Sequence, residues 1–306
     1  MKLKLYNLSN LVKKKIKKNI NFKVEFISTN EKKKVNTNLK NIKIYWGNRL
    51  NTNVLSKLKN LKWVHFGSSG IDFELKRKIL QRNIKFTRSN KIIAESVVAS
   101  IIQKIFFLGR GMMPLLHKKY YDRKDFDKNF NHISDIFNEK ALIFGKGEIA
   151  TTLKGKLNAI GIKTKIVQIK EKNNILKNKK ITSIIKDSKF IINCLPLNLK
   201  TKNFFDKRIF SLFYKSYFIN VGRGETISQN DLEKFLKKNN IIFAALDVFN
   251  KKDYISPYRP LSYRSKLWNN NKILITPHIS ALSNLYWEKQ TKLFLQLLNK
   301  FSKNLL

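Results

Sequence analysis

The feature that most narrows what this chain can fold into is the apolar run Ala141-Leu142-Ile143-Phe144 emptying into Gly145-Lys146-Gly147-Glu148-Ile149-Ala150. A strand-length segment leads into a Gly-x-Gly-x-x-Ala turn and then into a helical pattern. Gly145 permits a tight turn, Gly147 has no side chain to obstruct a group approaching the backbone, and Ala150 is small enough for a helix to pack closely on a sheet. The first N–H groups of that helix face outward and suit an anion such as a pyrophosphate. Gly161 is placed to end the helix near Ile160, and 163–169 alternates as a second strand, which completes a β-α-β unit. Three small residues in a turn are weak evidence by themselves. The strands on either side carry the nucleotide-binding reading.

In such a unit an acidic residue about 20 positions on holds the adenosine ribose. Here the end of the second strand reads Gln168-Ile169-Lys170-Glu171-Lys172. Gln168 would not repel a 2′-phosphate, and Lys170 and Lys172 could pair with one, which favours NADP over NAD. The other reading is that both lysines are ordinary solvated side chains and Glu171 takes the ribose.

The N-terminal third alternates strand-like segments at 23–27, 42–46, 63–66 and 84–87 with helical spacing at 53–61 and 73–82. It forms a small α/β unit ahead of the nucleotide domain. Its loop Gly67-Ser68-Ser69-Gly70-Ile71-Asp72 lies between a strand and a helix, where backbone N–H groups can hold an anion. The apolar stretch 92–108 is broken by Glu95, Gln103 and Lys104, which marks a core helix rather than a membrane span. Further on, buried strands are expected at 190–197, 217–221, 241–246 and 272–276. Arg223, Asp247 and His278 stand just past three of them. In an open parallel sheet ligands bind at the carboxyl ends of the strands, so these three converge on one bound nucleotide.

A formal charge of +43 would ordinarily suggest nucleic acid or an anionic membrane. Lysine is spread through the whole chain, however, and Lys, Asn, Ile, Phe and Tyr, all with A/T-rich codons, are abundant together. Base composition explains the charge without such a partner. The length and a 42% apolar content allow a full core in one large or two ordinary domains. The single Cys194, in an apolar run with no disulfide partner, and the absence of an apolar signal core before Asn19 lead to the expectation of a cytoplasmic protein.

Taken together, the motifs resemble the D-isomer-specific 2-hydroxyacid dehydrogenases, the family of glyoxylate/hydroxypyruvate reductases, phosphoglycerate dehydrogenases and D-lactate dehydrogenases. The matching pieces are Leu61 to Asp72, the Ala94-Glu95 helix start, the Gly145 to Ala150 turn, Cys194-Leu195-Pro196-Leu197, Ile219-Asn220-Val221-Gly222-Arg223-Gly224, Ala245-Leu246-Asp247-Val248-Phe249 and Ile275-Thr276-Pro277-His278-Ile279-Ser280. They follow the family's order along most of the chain. The resemblance implies an α/β protein of two Rossmann-like domains. A doubly wound, parallel-sheet NAD(P)-binding domain at 93–282 is inserted into a flavodoxin-like substrate domain formed by 1–92 and 283–306. It also implies a homodimer that acts on a small 2-oxo or 2-hydroxy acid in the cleft between the domains. Arg223 would grip the substrate carboxylate and polarise the carbonyl, the Ser69 and Gly70 amides would hold the carboxylate's other side, and His278 would exchange the proton while the nicotinamide exchanges hydride. Gly145, Gly147, Glu148, Ile149, Gln168, Lys170, Leu195, Pro196, Val221, Asp247 and His278 would line the cofactor. No metal is implied.

One position departs from the pattern. The family carries a glutamate five residues beyond the match to Asp247, paired with the histidine; here Lys252 stands there, followed by Asp253 and a longer segment to Trp268. Either Asp253 takes over as the third catalytic residue, or the histidine works without its acid. Formate dehydrogenases share the fold, have glutamine there and need no proton transfer. A catalytically weakened nucleotide sensor, of the kind the C-terminal-binding corepressors of this fold represent, is the alternative to an enzyme.

Overall fold

The computed structural model describes residues 2–5, 14, 16–20, 25–28, 42–47, 50–68, 70–117, 120, 122–130, 133–168, 172–250 and 261–303. Two compact units divide the chain: Met1–Ile93 with Ser283–Leu306, and Ala94–Leu282.

The first unit is built on β1 (Lys2–Leu5), β2 (Glu25–Ser28), β3 (Ile44–Trp46), β4 (Trp63–Phe66) and β5 (Lys85–Arg88). All pair in parallel in the order β2-β1-β3-β4-β5. β1 is absent from the expected strands, although Lys-Leu-Lys-Leu alternates with a strand's period of two. Successive side chains of a strand point to opposite faces, and both faces here are covered. Tyr45, Val64 and Phe66 pack with Leu55, Leu75 and Ile79 of helices Thr52–Lys57 and Phe73–Gln81. Ile44, Trp46 and Trp63 pack with Phe294 and Leu298 of the C-terminal helix Tyr286–Ser302. Trp46 and Trp63 stack on Phe294 at centroid distances of 4.1 and 5.4 Å.

The second unit holds β6 (Lys140–Phe144), β7 (Lys163–Val167), β8 (Phe190–Asn193), β9 (Ser216–Asn220), β10 (Ile241–Leu246) and β11 (Ile273–Ile275). They form one parallel sheet in the order β7-β6-β8-β9-β10-β11. The order reverses between β6 and β8, and such a switch point opens a crevice at the carboxyl ends of the two strands. One face of the sheet is packed by phenylalanines: Phe144 and Phe218 meet Phe204, Phe205, Phe210 and Phe213. Helix Asn90–Gly109 is long and apolar enough to span a membrane by length and composition. Its buried residues Ala94, Val97, Val98, Ile101, Ile105 and Leu108 recur at helical spacing on one stripe, as in a core helix. Gly109 brings it against Phe190 and Ile136.

Candidate active site

The turn after β6 is shaped as its sequence demands. Gly145 has φ +124°, a backbone region closed to most side chains, and a Cβ there would stand 3.1 Å from the Cys194 carbonyl oxygen. Gly147 is the N-cap of helix Glu148–Ala159, and a Cβ on it would meet nothing within 4 Å. That open space lies at a helix start no side chain caps. The amides of the first turn, at exposed Glu148 and half-buried Ile149, therefore have no partner within the helix. Ala150 is fully buried against the sheet, and Gly161 at φ +89° follows the helix's end at Ala159. The other β-α turn, after β4, differs: Asp72 caps its own helix by accepting from the Leu75 amide at 3.0 Å. Gly70 is half-buried in that loop, and Ser69 lies outside the described residues.

Two asparagines that read as parts of apolar strands organise the ends of β8 and β9. Asn193 Nδ2 donates to Asn220 Oδ1 at 2.9 Å and to Thr226 Oγ1 at 2.7 Å. Asn193 Oδ1 accepts from the Leu195 amide at 3.0 Å, and Asn220 Oδ1 from the Gly222 amide at 3.1 Å. Every polar atom named here is buried and satisfied, which fixes both turns in one geometry. β8 ends at Asn193, four residues before the expected Leu197. Leu195 is buried while Pro196 is exposed beside it. Half-buried Cys194 follows the strand, and desolvation pushes its thiol up to about 12, which leaves it a poor nucleophile.

Arg223 follows buried Val221 in the turn after β9. Its neighbours must be glycine, because a Cβ on Gly222 would lie 2.6 Å from the Leu195 oxygen and one on Gly224 1.9 Å from the Phe249 carbonyl carbon. The Arg223 carbonyl accepts from Thr226 N and Thr226 Oγ1, while Nη1 donates to the Gly222 oxygen at 2.7 Å. Desolvation lowers its pKa and Glu225 opposes this, yet a guanidinium stays charged. Among the described residues no carboxylate oxygen lies within ion-pair distance of it.

Asp247, expected at the nucleotide, is 2% exposed just past β10, and its carboxylate accepts hydrogen bonds from the chain itself. Oδ1 accepts from Thr276 Oγ1 at 2.6 Å and from the Ile279 amide at 3.1 Å, and Oδ2 from the Ser280 amide at 3.2 Å. These bonds grip the loop on both sides of His278, whose φ of +56° is strained for a residue with a side chain. His278 is exposed, so its ring can meet a ligand. Its pKa is lowered chiefly by partial desolvation and also by Arg223, with Asp247 pulling the other way.

Arg223, Asp247 and His278 are thus brought together electrostatically at adjacent strand ends. Gln168 is exposed just past β7, whereas Lys172 is not available for a 2′-phosphate: its Nζ donates to Asp206 Oδ2 at 2.9 Å and the Asn203 oxygen at 2.7 Å. Ile169, Lys170, Glu171, Lys252 and Asp253 lie outside the described residues. The buried lysine Lys104, the two asparagines and the Asp247 clamp escape the sequence reading. For the clamp, Thr276 and Ser280 on either side of His278 were the available signal. No group of metal-ligating residues occurs among the described residues. The open Gly147, the uncapped helix and the unpaired Arg223 fit a dinucleotide phosphate and a carboxylate.

Residues 108–280 match the family described as D-isomer specific 2-hydroxyacid dehydrogenase, NAD binding domain. A glyoxylate/hydroxypyruvate reductase A of Photorhabdus laumondii is 32% identical over 118 residues, 37% of this chain and 36% of that protein. A probable 2-ketogluconate reductase of Dictyostelium discoideum is 26% identical over 248 residues, 76% of this chain and 70% of the relative. The solved NADPH-dependent glyoxylate/hydroxypyruvate reductase of Sinorhizobium meliloti, in complex with NADP and sulfate, superposes with a TM-score of 0.74 at 18% identity, covering 100% of this chain and 96% of that one. With more than half its length matched to the family, this chain belongs to the D-isomer specific 2-hydroxyacid dehydrogenases.

Proposed function

We propose that the protein is an NAD(P)-dependent reductase of a small 2-oxo acid, running the reverse oxidation with the same groups. The observation that carries this is the pairing of Arg223, past the end of β9, with an exposed His278, past the end of β11, electrostatically coupled across the end of β10. Arg223 offers a permanently charged fork to the substrate carboxylate and polarises the neighbouring carbonyl. His278, as imidazolium, gives a proton to the carbonyl oxygen and recovers it from the hydroxyl in the other direction. Asp247 holds the histidine loop in its strained conformation. The nicotinamide, when bound, supplies or accepts the hydride. Gly147 and the uncapped amides of Glu148 and Ile149 hold the pyrophosphate, with Leu195, Pro196 and Val221 along the adjoining strand ends. The Gly70 loop, with Ser69, offers amides for an anion in the first unit.

NADP is the proposed cofactor because Gln168, not a carboxylate, ends β7; Lys170 is the remaining cation for its 2′-phosphate. A homodimer is proposed on exposed Met112, Leu116, Tyr120 and Phe130, which a second copy would cover. A cytoplasmic setting rests on the lone cysteine, and the dispersal of lysine argues against a nucleic-acid or membrane partner. Following oxidation of NADPH and NADH with glyoxylate, hydroxypyruvate and related 2-oxo acids tests the reading. Turnover supports it, whereas tight cofactor binding without turnover of any 2-oxo acid would make the protein a nucleotide sensor.

A further inference from the structure

Lys104 is a buried cation that the proposed chemistry does not use. It sits mid-helix in Asn90–Gly109, one turn beyond Ser100, and is 1% exposed. Its Nζ donates to Ser100 Oγ at 2.5 Å and to Ser280 Oγ at 3.3 Å, and the two hydroxyls are 2.9 Å apart. Ser280 in turn gives its amide to Asp247 Oδ2. The ammonium therefore stands behind the loop that carries His278, joined through one serine to the carboxylate that grips that loop. A buried ammonium costs several kcal/mol against a well-packed apolar side chain, and the neighbours Ile101 and Ile105 show that the stripe accepts apolar residues. Desolvation lowers the pKa of Lys104 and Asp247 raises it, so the two groups share a field.

We propose that Lys104 is a positioning residue: acting through Ser280 and Asp247, it fixes the His278 loop and limits how firmly Asp247 can hold a proton on the imidazole. Asp247 accepts from two backbone amides and a hydroxyl. Its charge acts on both Lys104 and His278. The groups acting on His278 among the described residues are Asp247 after β10 and Arg223 after β9; any contribution of Lys252 or Asp253 is common to parent and variant. Removing the Lys104 charge takes away a positive charge that offsets Asp247 at this loop, and the His278 imidazolium is then stabilised. The meaning of this for catalysis rests on the proton-donor reading of His278, but the coupling itself does not.

The test is an NMR titration of the full-length protein labelled at histidine, in which His278→Gln assigns one of only four ring signals. Lys104→Met removes the charge and the hydrogen bonds, and Lys104→Gln removes the charge while still able to bond both serines. Both are expected to move the His278 titration upward by about half a pH unit or more, with the falling limb of kcat/KM for 2-oxo acid reduction moving alongside. Parent-like titration in both variants overturns the proposal. So does a parent-like glutamine variant beside a shifted methionine one, since hydrogen bonding alone then explains Lys104. Should Lys104→Met not fold, the glutamine variant decides. A shifted titration in a protein that turns over no 2-oxo acid keeps the coupling and discards the reductase reading.

Discussion

His65 makes the first unit acid-labile by a calculable amount. It lies at the sheet centre on β4, 0% exposed, between Trp46, Trp63 and Phe294. Nδ1 is 2.8 Å from Thr87 Oγ1 and Nε2 is 3.2 Å from Ser89 Oγ, which donates to Gln290 Oε1. Two hydroxyls satisfy a neutral ring but leave no carboxylate for a charged one, and burial pulls its pKa from 6.5 down to about 4. Between those values the unfolded chain binds a proton that the folded unit refuses. Stability is thus fully present above pH 6.5 and is lost as pH falls. At about 1.36 kcal/mol per tenfold change in proton affinity, the loss is about 3 kcal/mol on reaching pH 4. The perturbation is His65→Gln, which can still hydrogen-bond but cannot titrate. Urea unfolding followed by tryptophan emission reads this region, because Trp46 and Trp63 are both buried against it. Near neutral pH the variant is expected to be less stable by about 1–2 kcal/mol through imperfect hydrogen bonding. By pH 4 that gap reverses, so the two stability curves cross. Curves that stay parallel from neutral pH to pH 4 would refute the reasoning, since they would put the acid sensitivity on other groups.

Gln168→Asp is expected to shift preference from NADPH toward NADH by about tenfold or more in the ratio of kcat/KM, because a carboxylate repels a 2′-phosphate and accepts from ribose hydroxyls; equal use of both cofactors by the parent would refute the premise. Arg223→Lys keeps the charge but not the fork, so KM for the 2-oxo acid rises and kcat/KM falls about tenfold to a hundredfold. Cofactor affinity, measured by fluorescence, stays near that of the parent, and its collapse would mean that Arg223 holds the turn instead. With the His278 pKa lowered from its ordinary value, reduction by the parent declines at a lower pH than an unperturbed histidine would impose, as imidazolium is lost. If Asp253 replaces the missing glutamate, Asp253→Asn moves that limb lower and reduces turnover; superimposable profiles would make Asp253 a solvated loop residue.

What could be read from the sequence, and what could not, divides along a physical line. The Gly145 to Ala150 turn was legible because each residue type there answers a backbone requirement: positive φ, open space, a tight helix contact. The placement of Arg223 and His278 just past β9 and β11 was legible because strand-length apolar runs precede them. β1 was missed because four residues with two lysines look like surface, and only pairing between β2 and β3 makes them a strand. Lys172 was misassigned for a related reason: sequence proximity to Gln168 placed it at the ribose, while Asp206, 34 residues away, captures its ammonium.

Asn193, Asn220, Asp247 and Lys104 belong to a further class. Each is polar and buried, and each is explained only by partners remote in sequence: Asn193 by Thr226, 33 residues on, and Lys104 by Ser280, 176 residues on. Binary patterning treats such residues as interruptions of an apolar run, which is how Lys104 first reads. Among 63 basic residues a single buried one carries no compositional mark. Its distinction is energetic. A solvated lysine at the surface of this chain is exchangeable, but one enclosed between two serines beneath an aspartate must offset its desolvation through those groups. The loop that strains His278 to a positive φ supplies one of them, Ser280. The buried charge and the strained histidine therefore share one cause: both persist because Asp247 holds three donors from a single loop, and a change at either end must be felt at the other.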